Sequence, residues 1–445
     1  MITRRRNSFQ ALFLILMLVI TACTPLKAKI ASLGEPEPIN ISGEEWEETG
    51  SADVAVEEMY VPVAADAPKA FGSSSTVEEA DVAPIVGEEG RYDIPEQQIG
   101  MRAGSVDDNE QWDDYLLYRI QFSEWDIPVR EIDVTERHII RVTNDQGLPI
   151  LGAKISIFNE QGLKMTETMT TSQGRALFFP LTCEDPNSRS FAVEIEKDGQ
   201  TSNFMMDRDQ REHEVILEAG TTSDPVRLDI LFLIDATGSM SDEIYQLKQN
   251  MILISERIHR LPSKPDVRFG MTAYRDQGDE FISRTLDFTP DIDTFTHELS
   301  ALEATGGGDY PESLNEGFHD AIHLPEWRIE ETVSLIFLIA DAPPHLDYTN
   351  DFDYAEEVFE AAERGIKIFP LASSGLDDQG EYIFRQLAQI TGGKFLFLTY
   401  GPDGKPGDST SHHVDDYSVL SLDELIIRLV EEELGNLSIQ QNYTQ

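Results

Sequence analysis

The amino-acid sequence predicts an α/β protein in which a doubly wound, mostly parallel six-stranded sheet follows a small antiparallel β-sandwich. Strand and helix patterns alternate over residues 226–435, which is typical of a parallel sheet. The run Leu228–Ile234 is almost entirely apolar, as expected for a strand that is covered on both faces. Before it, residues 131–220 contain short segments in which apolar and polar residues alternate. A chain of 445 residues that is 40% hydrophobic can form more than one core.

Residues 1–23 have the features of a secretory signal. Three consecutive arginines precede the apolar run Ala11–Ile20, which has about half of the roughly 20 residues needed to span a bilayer. The sequence Ile20-Thr-Ala-Cys23 resembles the lipobox of bacterial lipoproteins, which implies that Cys23 is acylated and becomes the N-terminus. An ordinary signal peptide with a chance cysteine is the alternative. The lipobox predicts a lipid anchor in the cell envelope, and the Thr that follows Cys23 favours the outer membrane or cell surface over the inner membrane.

Residues 24–110 form a strongly acidic segment, with 20 Asp and Glu against 5 Lys and Arg. Pro, Gly, Ala and Ser interrupt its apolar runs, so it cannot bury enough apolar area to offset its conformational entropy. A disordered tether is therefore predicted. A calcium-binding acidic tail is the alternative, although no calcium-loop pattern is present. The net charge of −48 excludes general binding to nucleic acid or anionic lipid. With Cys23 acylated, the one remaining cysteine, Cys183, can form neither an internal disulfide nor a Cys-rich zinc site.

Order is expected to begin near Arg102, and residues 111–130 are predicted to form a short helical lead-in. The sandwich predicted for residues 131–220 rests on five alternating segments separated by Gly-containing turns. The stretch Val142–Ala153, with Thr171–Ala176 after it, resembles carboxypeptidase-regulatory-like modules. That resemblance implies a spacer or a binding platform without catalytic residues.

The α/β region is expected to contain six strands and several helices. The strands are predicted at Leu228–Ile234, Val267–Tyr274, Phe281–Phe288, Ser334–Ala340, Ile366–Leu371 and Lys394–Leu398. Amphipathic helices are predicted at Ser241–Leu261, Tyr354–Arg364, Tyr382–Ile390 and Leu422–Leu434. The short link Arg275–Glu280 predicts one antiparallel hairpin at an edge, and residues 436–445 are a tail.

Polar clusters follow several of these strands. In a doubly wound sheet ligands bind beyond the carboxyl ends of the strands, where the strand order reverses. The clusters are Asp235-Ala-Thr-Gly-Ser239, Tyr274-Arg-Asp276, Thr305-Gly-Gly-Gly-Asp-Tyr-Pro-Glu312 and Asp341-Ala-Pro-Pro-His345. Their carboxylates and hydroxyls are hard oxygen ligands, which favour Mg²⁺, Mn²⁺ or Ca²⁺. A strand-to-helix turn without an ion is the alternative.

These clusters resemble the metal-ion-dependent adhesion site of von Willebrand factor A (vWA) domains. The family pattern is Asp-x-Ser/Thr-x-Ser after the first strand, a Thr in a Gly-Gly loop, and an Asp after the fourth strand. Asp235, Thr237 and Ser239 match the first element, and Asp341 matches the last. The resemblance implies that the two hydroxyls ligate a Mg²⁺ ion (or Mn²⁺ or Ca²⁺) directly, while the two carboxylates act largely through water. The open coordination position would then take an acidic side chain of a protein ligand.

One position departs from the family pattern. Asp309 stands where the family has its loop Thr, which implies a more negative site with tighter metal binding and a weaker pull on an acidic ligand. Asp276, Glu312 and His345 are candidate ligand-contacting residues.

Enzyme chemistry is weakly supported, and a non-enzyme is predicted. His319 and His323 have the spacing of a zinc-protease helix, but Asp320 replaces the Glu that such a motif needs. Ser239 lacks the Gly-x-Ser-x-Gly elbow of a nucleophile. Three functions remain open: metal-dependent binding of a protein ligand, a hydrolase or phosphate-handling enzyme using the same metal, and a metal-free scaffold of an envelope assembly.

Overall fold

The computed structural model describes residues 101–183, 187–218, 225–401, 405 and 407–438. The predicted signal segment, the lipidation site Cys23, most of the predicted tether and residues 439–445 lie outside the described residues. Among the described helices, none combines the length and the apolar character needed to cross a membrane.

The described chain opens with β1 (Arg102–Val106), followed by α1 (Trp112–Ser123). Met101, Ala103 and Val106 are buried, so order begins near Arg102 as expected, and the tether predicted to run to residue 110 ends too late. This part was assigned to the tether because a five-residue strand containing an arginine and a serine has little apolar pattern.

Seven strands form two small sheets after α1. They are β2 (His138–Thr143), β3 (Lys154–Phe158), β4 (Lys164–Met169), β5 (Arg175–Phe178), β6 (Ser190–Lys197), β7 (Gln200–Asp207) and β8 (Glu212–Ile216). The strand orders are β5-β2-β8 and β4-β3-β6-β7. Their alternating apolar residues share one hydrophobic cluster, to which β2 contributes Ile140 and β6 contributes Val193. The pairing of β2 with β8 is parallel, whereas an antiparallel arrangement was predicted.

Strands and helices alternate in the remainder of the chain. The strands are β9 (Arg227–Asp235), β10 (Asp266–Tyr274), β11 (Ser283–Thr289), β12 (Thr332–Ala340), β13 (Ile366–Ala372), β14 (Phe395–Thr399) and β15 (Ser418–Ser421). The helices are α2 (Ser241–His259), α3 (Ile292–Ala301), α4 (Leu314–His323), α5 (Tyr354–Glu363), α6 (Asp378–Thr391) and α7 (Leu422–Ser438).

The large sheet has the strand order β11-β10-β9-β12-β13-β14-β1-β15. Five neighbouring strands are mutually parallel: β10, β9, β12, β13 and β14. β11 is antiparallel at one edge. Helices cover both faces, since Ile230 and Phe232 of β9 pack in one hydrophobic cluster with α2 and α7. Leu231 and Leu233 pack in a second cluster with α4, α5 and α6. The chain is therefore a mixed α/β protein with a large, mostly parallel sheet, as predicted.

The sheet has eight strands, whereas six were predicted. β1 pairs with β14 along its whole length and with β15 on its other side. Gly104 of β1 lies so close to Phe397 that a Cβ atom would come within 2.5 Å of its ring. The two added strands cover the edge of β14, which would otherwise expose unpaired backbone groups. They escaped prediction because each has only four or five residues.

The strand order reverses beside β9. From β9 the chain passes through α2 to β10 on one side, and it later returns to β12 on the other side. The carboxyl ends of β9 and β12 therefore flank a crevice of the kind in which doubly wound proteins bind ligands.

Candidate metal centre at the carboxyl edge of the sheet

The loop after β9 is organised by the carboxylate of Asp235. The backbone N–H of Thr237 donates to Asp235 Oδ1 at 2.9 Å, and the Thr237 hydroxyl donates to the same oxygen at 2.6 Å. Both side chains are fully buried. Thr237 Oγ1 lies 3.1 Å from Ser239 Oγ, and Ser239 is exposed.

The loop after β12 completes this group. Ser239 Oγ donates to Asp341 Oδ1 at 3.1 Å, so Asp235, Thr237, Ser239 and Asp341 form one contiguous set of polar contacts. We call these four residues the first cluster. Each hydroxyl has one proton, and each proton can point to a carboxylate. The lone pairs of the two hydroxyl oxygens then face each other, which is the arrangement that a cation would satisfy.

The loop that contains Gly306, Gly307 and Gly308, called the glycine loop, is joined to the first cluster by backbone hydrogen bonds. Thr305 N donates to Ala236 O at 3.0 Å, and Gly238 N donates to Gly306 O at 2.9 Å. Gly306 and Gly307 have φ values of +83° and +63°, a conformation that residues with a Cβ atom rarely adopt. A Cβ atom at Gly307 would also lie 2.5 Å from Glu312 Oε1 and 2.9 Å from the Thr237 Cβ. The glycines therefore let the side chain of Glu312 approach the loop after β9.

Glu312 is a buried carboxylate with an incomplete set of partners. Its residue is 3% exposed, and its Oε2 atom has no hydrogen-bond partner. Burial and the charges of Asp235, Asp276 and Asp341 raise its pKa to about 8. Burial and the charge of Asp341 raise the pKa of Asp235 to about 7. Without a cation, this edge of the sheet thus holds more carboxylate charge than it can stabilise at neutral pH.

The structure places Asp309 with Asp276 and His345, which we call the second cluster. One carboxylate oxygen of each Asp and one ring nitrogen of His345 all lie within 4.8 Å of one another. Asp276 and His345 are buried, whereas Asp309 is exposed. Within the described part of the chain, Asp309 makes no hydrogen bond to the first cluster, although it was predicted as a ligand of the same ion.

Two supporting residues were not singled out from the sequence. Asp279 Oδ2 accepts hydrogen bonds from Gly307 N at 2.8 Å and from Asp276 N at 3.2 Å, so it holds the glycine loop against the β10–β11 turn. Tyr348 donates to Asp276 at 3.0 Å. The turn sequence Asp276-Gln-Gly-Asp279 was a weak indication that Asp279 supports the site, and nothing in the sequence pointed to Tyr348.

The histidine pair of α4 contacts another acidic residue. His319 Nδ1 and His323 Nε2 each lie 2.8 Å from an oxygen of Glu357 on α5. Arg364 Nη2 lies 2.9 Å from His323 Nδ1, so it donates there and places the ring proton on Nε2. In that tautomer Nε2 donates to Glu357 and has no lone pair for a metal. This arrangement joins two helices and gives no support to a zinc-protease site.

The donor chemistry of the first cluster fits Mg²⁺, Mn²⁺ or Ca²⁺. Its atoms are carboxylate and hydroxyl oxygens. The charges of Asp235 and Asp341 also act on the carboxylate of Glu312, whose Oε2 atom has no hydrogen-bond partner. Thr237 and Ser239 would supply hydroxyl ligands, while Asp235 and Asp341 would neutralise the ion.

Residues 229–400 match the family model described as von Willebrand factor A domain. The chain thus contains a vWA domain, and the fold and its large, mostly parallel sheet agree with that match. Alpha-protein kinase vwkA of Dictyostelium discoideum is 31% identical over 201 residues, covering 45% of this chain and 29% of that protein. The putative ariadne-like RING finger protein R811 of Acanthamoeba polyphaga mimivirus is 25% identical over 187 residues, covering 38% of this chain and 18% of that protein.

This chain therefore spans less than a third of the length of either relative. Among solved structures, the open conformation of the pilus adhesin SpaC from Lactobacillus rhamnosus GG is similar with a TM-score of 0.33 and 13% identity. That similarity covers 57% of this chain and 35% of the adhesin chain.

Proposed function

We propose that this chain is a cell-envelope lipoprotein that binds a protein ligand through a divalent cation held by the first cluster. The contiguous set of polar contacts from Asp235 through Thr237 and Ser239 to Asp341 is the observation that carries the proposal. It joins the loops after β9 and β12 at the reversal of strand order. Mg²⁺ is the expected ion, with Mn²⁺ or Ca²⁺ as substitutes.

The exposure of the four residues supports binding of an external ligand. Asp235, Thr237 and Asp341 are buried, whereas Ser239 is exposed. An ion ligated by Ser239 would keep a coordination position toward solvent, where an acidic side chain of a protein ligand can replace water. The function proposed is binding without catalysis. A hydrolase using the same cation would instead show metal-dependent turnover of a peptide or phosphoester library.

The proposal extends to the rest of the chain. Cys23 would carry the lipid anchor, in the outer membrane or at the cell surface, and the acidic segment after it would act as a tether. The two small sheets, β5-β2-β8 and β4-β3-β6-β7, would then form a carboxypeptidase-regulatory-like β-sandwich that serves as a spacer.

We expect Ser239→Ala to weaken Mg²⁺ binding by about 10-fold to 100-fold or more. The change removes a direct ligand, whereas loss of a group that only supports a metal ligand already costs about 10-fold to 100-fold in affinity. Isothermal titration calorimetry on metal-free protein measures the effect. Ser263→Ala removes an exposed hydroxyl elsewhere and serves as the matched control. Equal Mg²⁺ affinity in the two variants would contradict the proposed site.

Ligand binding is expected to depend on the cation. The immobilised chain should retain an envelope protein from extracts in Mg²⁺ and release it with chelator, and Ser239→Ala should retain none. Addition of free acidic peptides should compete, because the ligand offers a carboxylate to the ion. Retention by wild type and Ser239→Ala alike, with or without chelator, would show that binding does not use the first cluster.

A further inference from the structure

The second cluster has the donor set of a separate cation site. Its members come from three loops: Asp276 follows β10, Asp309 follows the glycines, and His345 follows β12. His345 Nε2 lies 3.8 Å from Asp276 Oδ1. Ligand atoms of one ion at bond lengths of about 2.1 Å lie roughly 3.0–3.5 Å apart, so these two atoms need little movement to share an ion. The exposed Asp309 side chain has the freedom to complete the set.

The hydrogen bonding of His345 leaves one ring nitrogen available. Nδ1 lies 2.8 Å from Asp347 Oδ1, so in the neutral ring it carries the proton and donates to that carboxylate. Nε2 then has a free lone pair. This nitrogen is buried and has no hydrogen-bond partner, and the residue is 4% exposed. A carboxylate behind the histidine is the arrangement that orients histidine ligands in metal sites.

Asp276 and His345 are also held in place by their neighbours. Ser313 Oγ donates to Asp276 Oδ1 at 2.8 Å, and Tyr348 donates to both oxygens of this carboxylate. The His345 ring stacks on Tyr348 with ring centres 3.8 Å apart. Rigid ligands of this kind bind metals tightly, because little conformational entropy is lost when the ion enters.

Glu312 connects the two clusters. Its backbone carbonyl accepts a hydrogen bond from His345 N at 3.1 Å, while Gly307 lets its side chain reach toward Thr237. The Oε2 atom of Glu312, which has no hydrogen-bond partner, belongs to a carboxylate that is repelled by the charges of both Asp235 and Asp276. A cation at either cluster would give this oxygen an opposite charge.

We infer that Asp276, Asp309 and His345 Nε2 ligate a second divalent cation, with Glu312 as the carboxylate between the two ions. The imidazole nitrogen selects Mn²⁺ or Zn²⁺ over Mg²⁺, because Mg²⁺ prefers oxygen ligands. The second site goes beyond the proposed function, and the position of Glu312 between two ions rests on that function. The second ion would place positive charge beside the first cluster and offset the carboxylate of Asp309.

Equilibrium dialysis of the full chain against Mn²⁺ tests the inference by stoichiometry. We expect two bound ions in wild type, one in His345→Gln, one in Ser239→Ala and none in the double variant. His297→Gln, at an exposed histidine, is the matched control and should bind two ions. X-ray absorption of the Zn²⁺-loaded protein should show imidazole scattering that His345→Gln removes.

A surface variant keeps the test independent of folding. The Asp347 side chain is 80% exposed, so Asp347→Ala should leave the fold intact while weakening the second Mn²⁺ site by about 10-fold. Equal stoichiometry in wild type and His345→Gln, or zinc without imidazole scattering, would overturn the second site. Failure of the proposed function looks different, because Ser239→Ala would then bind as many ions as wild type.

Discussion

Replacing Asp108 by alanine is expected to lower the free energy of unfolding by about 3–5 kcal/mol, because it leaves the guanidinium of Arg385 buried without its main partner. Arg385 Nε and Nη2 donate to the two Asp108 oxygens at 3.0 and 2.6 Å, and the side chains are 4% and 2% exposed. Burial raises the pKa of Asp108 despite this contact, so desolvation is costly for the carboxylate as well. Removal of Asp108 leaves Arg385 with that cost and with Glu381, whose Oε1 lies 3.3 Å from Nη1, as the remaining carboxylate beside it.

Chemical denaturation measures this effect, with Asp114→Ala as the matched control. Asp114 lies on the exposed side of α1, and its loss should change the free energy of unfolding by no more than about 0.5 kcal/mol. If the two variants were equally stable, residues 101–110 would not be an integral part of the folded region.

The stability of the metal-free protein is expected to fall as the pH rises from 5 to 9. The pKa values of Asp235 and Glu312 are raised in the folded state to about 7 and about 8, above their unfolded values of 3.8 and 4.5. A carboxyl group with a raised folded pKa contributes its full stability below the unfolded pKa. That contribution is lost as the pH rises through the folded pKa.

Glu312→Gln isolates this effect. Wild type should lose about 4 kcal/mol relative to the variant between pH 5 and pH 9, since one pKa unit corresponds to about 1.4 kcal/mol and about three units separate pH 5 from the folded pKa. The comparison with the variant also cancels the contribution of the histidines to the pH dependence. Burial lowers the pKa of His138 and His213, so these two residues make the fold more stable as the pH rises toward about 6.5. Urea denaturation at several pH values gives the measurement. A wild type that gains stability over the variant toward pH 9 would contradict the raised pKa of Glu312. Saturating Mg²⁺ should reduce the difference.

The fold was largely predictable where burial imposes a pattern. The apolar run of β9 and the amphipathic helices after it follow from their covered faces, so the doubly wound core could be inferred. Such a pattern does not show which short segments add to a sheet edge. β1 carries Arg102 and Ser105 and lies far from β14 in the sequence, so only the tertiary structure brings them together. The parallel pairing of β2 with β8 likewise depends on how the chain returns.

The site was predictable in its loops and less so in its side-chain contacts. Asp235, Thr237, Ser239 and Asp341 are brought together as their positions after β9 and β12 indicated. Asp309 follows three glycines, whose backbone torsions decide where its carboxylate points, and these torsions have no sequence signature. The contact of Asp276 with His345 depends on a loop that returns from β12 to the end of β10.

The double pairing of β1 has a mechanical consequence. Backbone hydrogen bonds join it to Phe395–Thr399 on one side and to Ser418–Ser421 on the other. A pull along the strand axis on the chain before Arg102 would load the hydrogen bonds on both sides together in shear, instead of opening them one after another. Arg102 pairs with Thr399, so the force would enter at the same edge of the sheet that carries the first cluster. In a copy anchored through Cys23, the load from the anchor and the bound ligand would thus both act at the carboxyl edge of the sheet.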